Sequence, residues 1–380
     1  MEPLTAKELN VLAKSVFSPT EKDHALAVLI DFPDERIPDT PAWRARRILA
    51  WQWVQALKQS TDCCLEHIDL IGYANVRNNN ADLPQEFYKL SLFDPDWTAH
   101  NFKKGKAFSQ PDIFSAYPLI LAPTQFSATA PLKLLAKTYQ FRAATMPGFS
   151  PDMISALRLD YRVINERVHL LKNLLDQTDE VHIQFHVGDA IYTMRFDTRF
   201  RTAHASGGRF PEPGTAGNLP SGECYIVPYE GELEETSQSH GLLPVQLGDE
   251  VVVYQIEKNK AVDVISQGPM SDSEREYIHN EPAYANISEI GLGVLKDFGV
   301  QNTGEILLDE KLGLHIAFGR SDHFGGSVGV KDFSSPDAVV HIDRIYIPET
   351  MPKVHVDFVN LVLADRREML LMEDGRYLVF

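Results

Sequence analysis

Residues 150–189 read SPDMISALRLDYRVINERVHLLKNLLDQTDEVHIQFHVGD, and the fold turns on a change of period inside them. Ser150-Pro151 is a helix start, and Ile154, Leu157, Tyr161, Ile164, Val168, Leu171 and Leu175 follow at steps of three and four, which predicts one long amphipathic helix with a packing stripe. After Gln177-Thr178-Asp179 the period drops to two. Val181, Ile183, Phe185 and Val187 alternate with His182, Gln184 and His186, and Gly188-Asp189 supplies a two-residue hairpin turn. His182 and His186 fall on the polar face and are read as solvated surface groups. A helix closing one domain and a strand opening the next predict two domains. These are an α/β N-terminal domain over 1–178 and a β-rich α+β domain over 179–380.

Upstream of this stretch, MEPLTAKELNVLAKSVF is a capped helix, with Thr5 before the first turn and Glu8 three residues later. It lacks the basic-then-apolar order of a signal peptide. Residues 1–110 alternate helical patches with connections such as DFPDERIPDTP and NVRNNNADLP and bring no chemical constellation. IFSAYPLILA at 113–122 reads as a buried strand of an α/β layer. Downstream, VVVYQIE and AVDVIS flank a turn around Lys258-Asn259-Lys260, as expected of a mostly antiparallel sheet.

Of the 380 residues 44% are hydrophobic and 23% charged, a balance that allows a substantial core in two domains. The formal charge of −17 argues against nucleic acid as a partner, which normally requires a lysine and arginine footprint. No run of eighteen apolar residues is present to span a bilayer. The three cysteines, Cys63, Cys64 and Cys224, form no disulfide framework. A cytoplasmic setting is the expectation.

Four segments of the second half bring candidate ligands. In AVVHIDRIYI (338–347) His341 and Asp343 are two apart, hence on one face of a strand, where an imidazole and a carboxylate side by side suit a divalent ion. In GLHIAFGRSDHFGG (313–326) Leu314, Ile316 and Phe318 form an apolar face, and His315 shares the other with Ala317 and Gly319, whose small size leaves room for an ion or substrate. In NLPSGECYIVP (218–228) a Gly/Pro-rich loop ends in Glu223 at the mouth of a strand. In ANISEIGLGVL Glu289 sits among apolar residues in an expected helix capped by Asn286 or Ser288, and a carboxylate so placed needs a partner.

TMPGFSPDMISALRLDY, GNLPSGE, SEIGLG followed by GEILLDEKLGLHIAFG, and VVHID, in this order over about residues 140–345, resemble the metalloaminopeptidases of the aminopeptidase T and aminopeptidase S type. The resemblance implies that Glu223, Glu289, His315, His341 and Asp343 ligate two divalent ions, usually zinc or cobalt. It implies a homodimer enclosing the active-site cavity and a peptide or other small-molecule substrate. One position departs from the family: a catalytic tyrosine is usual seven residues after the histidine of the HIA segment, and here Asp322 stands there, followed by His323. An ionised aspartate repels the oxyanion that a phenol would stabilise. Arg320, Asp322 and His323 are therefore the loop's candidates for binding substrate or moving protons.

Three carboxylates and two neutral imidazoles facing two divalent ions leave one positive charge, which one hydroxide neutralises. Two ions about 3.5 to 4 Å apart can share a water and lower its pKa, as metal-assisted amide hydrolysis requires. A metal-dependent aminopeptidase is the leading expectation. The alternatives are a non-haem iron ring-cleaving dioxygenase resembling the 2,5-dihydroxypyridine dioxygenases, with iron on Glu223, His341 and Asp343, and a binding protein that kept the fold without the chemistry.

Overall fold

The computed structural model describes residues 2–60, 65–103 and 106–380, so Cys63 and Cys64 lie outside the described residues. The chain divides into two compact units, Met1–Asn165 with Ser206–Ser221, and Glu166–Ala205 with Gly222–Phe380. The first is α/β and the second β-rich with a few helices.

The first unit holds a seven-stranded sheet in the order Ala216–Asn218, Arg142–Thr145, Leu119–Ala122, Ala25–Phe32, His67–Ala74, Glu86–Leu90, Ala107–Ser109. The first five strands run parallel and the last two pair antiparallel. Every residue of Ala25–Phe32 is buried, as a central parallel strand requires. The Thr5 cap forms as expected: its hydroxyl accepts from the Glu8 amide, and the Glu8 carboxylate returns to the Thr5 amide at 2.7 Å.

Two local expectations are corrected. The run at 113–122 is not one strand, because Gln110–Ala116 is a helix and only Leu119–Ala122 is extended. Ser109 and Asp112 form a capping box with a proline in the first turn, so a helix start precedes the apolar residues. The helix expected from Pro151 is also interrupted. One turn at Ile154–Leu157 ends before Asp160, whose carboxylate accepts from the Arg162 amide at 3.0 Å, and the main helix Tyr161–Leu175 starts there. Its stripe of Tyr161, Ile164, Val168, Leu171 and Leu175 is buried as anticipated.

In the second unit an eight-stranded sheet runs in the order Lys260–Val264, Glu250–Glu257, His240–Leu247, Ala190–Asp197, Thr178–Val187, His355–Leu363, Glu368–Glu373, Arg376–Tyr377. The Gly188-Asp189 hairpin is present, Val187 pairing with Ala190. His182 and His186 are partly exposed, and each faces a carboxylate, Glu180 and Asp357 respectively. The other hairpin turns on Lys258 and Asn259, both with positive φ, while Lys260 already belongs to the next strand. A five-stranded sheet completes the unit. Its apolar face meets the larger sheet through Phe318 against Tyr254 (ring centroids 5.0 Å) and Tyr346 against Phe185 (5.0 Å). Among the described residues no helix is long and apolar enough to cross a membrane.

Candidate metal centre

The five-stranded sheet runs in the order His341–Ile345, Leu314–Gly319, Ile287–Gly293, Glu223–Ile226, His204–Ser206. In an antiparallel ladder, residues directly opposite one another share a face. Glu223 lies opposite Gly293. Tyr225, Gly291, His315 and Ile345 form a second row, Glu289, Ala317 and Asp343 a third, and Gly319 and His341 a fourth. All five sequence-derived ligand candidates thus stand on one face, the one turned away from the larger sheet. Glycine and alanine fill the places between them.

Glu289 is in a strand, Ile287–Gly293, and not in the expected helix. Ile290 and Leu292 point one way and Glu289, Gly291 and Gly293 the other, a period-two pattern that the short segment also permits, while Ser288 lies in a bulge with its hydroxyl 3.2 Å from His341 Nδ1. Asn286 is no cap, since its amide donates to Glu230 Oε1 at 2.7 Å and to the Gly319 carbonyl at 3.0 Å. Glu223 opens its strand as anticipated.

The donors form two groups that share Glu289. In the inner group, fully buried, His315 Nε2 is 3.1 Å from Glu289 Oε1 and 3.7 Å from Glu223 Oε2. In the outer group His341 Nε2 is 3.5 Å from both Glu289 Oε2 and Asp343 Oδ1, and His341 and Asp343 are only partly buried. Within each group the donor atoms lie within 4.8 Å of one another. Both imidazoles turn Nδ1 to a backbone carbonyl, His341 to Arg320 at 2.9 Å and His315 to Gly313 at 3.4 Å. A carbonyl only accepts, so Nδ1 carries hydrogen and Nε2 faces the carboxylates, the orientation that a metal-ligating histidine takes. Oxygen and nitrogen donors so arranged fit a divalent ion.

With only the protein's own charges facing one another, these groups hold each other ionised. Burial disfavours the charged form of His315, yet Glu289, Asp343 and Glu223 outweigh it and lift its pKa to about 9. His341 is raised well above the usual range against the same burial penalty, through Asp343 and Glu289. Glu289 and Asp343 would be driven up by burial, but the two histidines bring both below the ordinary carboxylate range.

The loop candidates lie beside this centre. The His323 ring is 5.5 Å from that of His341, edge to face. Burial, His341 and Arg320 together lower His323 to about 4, so it is neutral at pH 7. Arg320 Nε donates to Asp322 Oδ1 at 2.6 Å, and His323 Nδ1 is 3.5 Å from the same oxygen. Asp322 stays ionised, the Arg320 contact overcoming burial.

Three residues near the centre were not foreseen. Lys311, fully buried, places Nζ 3.2 Å from Glu223 Oε1 and also contacts Glu310. Burial lifts the Glu310 carboxyl to about 8 despite that contact. The third is Tyr225, in the second row of the ligand face, whose ring stacks on His204 and meets Phe324 edge-on. The charge count that matched two ions to one hydroxide omitted Lys311 and is corrected accordingly. In the sequence, DEKLGLHI holds a lysine one residue before an apolar run that enters the His315 strand, which is the only local sign of it.

No protein-family model matches the chain, and no curated protein does. Solved structures do. A 2,5-dihydroxypyridine dioxygenase from Pseudomonas putida KT2440 aligns over 100% of this chain and 99% of its own, with a TM-score of 0.60 at 16% identity. Wild-type AmpT from Thermus thermophilus, an aminopeptidase T, aligns over 98% of this chain and 99% of its own, with a TM-score of 0.55 at 14% identity. At these identities the likeness is one of fold, shared with a dioxygenase and an aminopeptidase alike.

Proposed function

We propose that the protein is a metal-dependent amide hydrolase of aminopeptidase type. The observation that carries this reading is the convergence of Glu223, Glu289, His315, His341 and Asp343 on one sheet face, in two groups sharing Glu289. The two imidazoles fall in different groups, so each group has two carboxylates and one histidine. That differs from the two-histidine, one-carboxylate triad of non-haem iron oxygenases and suits a Lewis-acid role. A bound divalent ion, zinc or cobalt in the first instance, supplies activation of water and polarisation of the substrate carbonyl.

The chain's own groups have separate tasks. His323, neutral at pH 7, accepts or donates a proton beside His341, and Asp322, fixed by Arg320, steadies its Nδ1 side. Arg320 and Asp322 are thereby positioning residues in a loop where the related aminopeptidases carry a tyrosine. A homodimer and a cytoplasmic setting belong to the same proposal.

A second reading, a ring-cleaving dioxygenase with one iron, would place that iron on Glu289, His341 and Asp343 and not on Glu223, which groups with His315 and pairs with Lys311, whose charge lowers the demand for a second ion. Elemental analysis of protein purified without added metal, paired with aminoacyl and dipeptide substrates and with oxygen uptake on dihydroxypyridines, decides between them. Peptide turnover without oxygen uptake supports the hydrolase. One iron per chain with oxygen uptake replaces it with the dioxygenase.

A further inference from the structure

We infer that Lys311 provides, from within the protein, the charge that an inner metal ion would bring, so that one divalent ion binds tightly to Glu289, His341 and Asp343 and a second binds only weakly to Glu223, Glu289 and His315. The inference rests on the metal-centre reading above and concerns how this chain divides its affinity between the two groups.

Lys311 immediately precedes Leu312 and Gly313, which lead into the strand Leu314–Gly319, and its side chain is fully buried. Its ammonium lies on Glu223 Oε1 at 3.2 Å, leaving Oε2, the oxygen 3.7 Å from His315 Nε2, as the one turned to the donor group. Glu223 therefore offers a single oxygen whose charge is already opposed by a cation at contact distance. An ion entering the inner group meets that cation in a buried site, where repulsion is little screened. The outer group has no such guest. Among the described residues Asp343 makes its only ion pair with His341, and the neighbouring Arg344 donates instead to the Tyr284 hydroxyl at 2.9 Å.

Burial points the same way. Glu223, Glu289 and His315 are closed off, whereas His341 and Asp343 keep some exposure. His341 and Asp343 are thus the donors that an ion entering from solvent would meet, and they would hold it where a substrate could also reach. Glu310 contacts the same ammonium, which holds Lys311 in place and keeps it from following Glu223 toward an ion.

The test is a titration of the ion-free, full-length chain with Zn2+, read by calorimetry and by equilibrium dialysis with elemental counting. The wild type is expected to take one ion tightly and a second about 10- to 100-fold more weakly, the range by which groups contacting a ligand tune a site. Asp343→Asn should lose the tight ion, and Glu223→Gln should leave it within about threefold. Lys311→Met, which keeps the stem and removes the charge, should raise the second affinity by about 10- to 100-fold. Two ions of equal affinity in the wild type overturn the inference, as does a folded Lys311→Met variant with an unchanged second ion. Should that variant fail to fold, the Glu223→Gln and Asp343→Asn pair decides alone, since equal losses in the two overturn the proposed division. A wild type that binds no ion at all removes the metal-centre reading itself, a separate result.

Discussion

Gly291 faces the His315 ring across the ladder so closely that a Cβ built on it would fall 1.8 Å from His315 Nε2. The imidazole lies over the glycine in the space a side chain would take. Gly293 and Gly319 are equally tight, a Cβ there meeting Lys311 and Val340 backbone atoms at 2.2 and 2.3 Å. These glycines are cut to the centre that surrounds them.

Gly291→Ala should therefore swing His315 out of line or push apart two strands. Overpacking of this kind costs about 1–3 kcal/mol. Thermal unfolding of the ion-free variant measures that cost, and zinc content after dialysis measures the damage to the centre. A variant with wild-type stability and full zinc content would contradict the close fit.

The pKa shifts predict how the ion-free protein responds to pH. His315, lifted from 6.5 to about 9, binds its proton more firmly in the folded chain than in the unfolded one. The stability it contributes is complete below pH 6.5 and is lost as pH rises through 9. Glu310, lifted from 4.5 to about 8, binds protons preferentially in the folded state over that interval, so its effect has the same sign. In chelator the melting temperature should fall between pH 6.5 and 9. With an ion bound, both histidines are already neutral and the fall should shrink, while ion binding near pH 7 should release protons. A melting temperature that climbs over the same range in chelator would refute the charge pattern.

Asn259 is the hinge of a hairpin and also a tie to the strand that carries Glu289. It has φ +68° and is fully buried, and its side-chain amide donates to the Ile287 carbonyl at 2.8 Å. Asn259→Ala loses both the side chain that tolerates a left-handed backbone and a buried donor, at a cost of about 1–3 kcal/mol. Urea unfolding should show a lower midpoint with an unchanged slope, and Asn259→Gly should recover the backbone part of the loss. Equal losses in the two variants would place the whole effect in the hydrogen bond.

The face that carries the five candidate ligands was legible because the strand period is two: the spacing of His341 with Asp343, and of His315 with Ala317 and Gly319, already fixes which side chains stand together. Glu289 was legible as a residue and not as an element. Asn286 and Ser288 resemble helix caps until their partners, Glu230 and Gly319 for the one and His341 for the other, are known to come from distant segments. Lys311 was hidden for the same reason. A lysine between acidic and apolar residues is ordinarily solvated, and its burial here rests on Glu223, arriving from a separate strand, together with the neighbouring Glu310. The return of 206–221 to the first sheet, where Ala216–Asn218 adds an edge strand, is likewise a pairing with no local signature.

Glu230 supplies the last prediction, because it holds the loop on which Arg320, Asp322 and His323 sit. Its Oε1 accepts from Ser321 Oγ at 2.5 Å as well as from Asn286, and its Oε2 accepts from the Ser327 amide and hydroxyl at 2.5 and 2.7 Å. Both ends of the loop are thus fastened to one nearly buried carboxylate, with Arg201 at 3.6 Å as its countercharge. Glu230→Ala removes the side-chain acceptor of the Ser321 and Ser327 hydroxyls and the Ser327 amide, while Asn286 keeps the Gly319 carbonyl and Arg201 keeps Glu232, at a cost of about 1–3 kcal/mol. The five proposed ligands stay on their strands, so zinc content should hold near the wild-type level while protease cleavage between Ser321 and Gly329 accelerates. A loop that resists cleavage as well as the wild type would show that something other than Glu230 holds it, and His323 would then need a different account of its place beside His341.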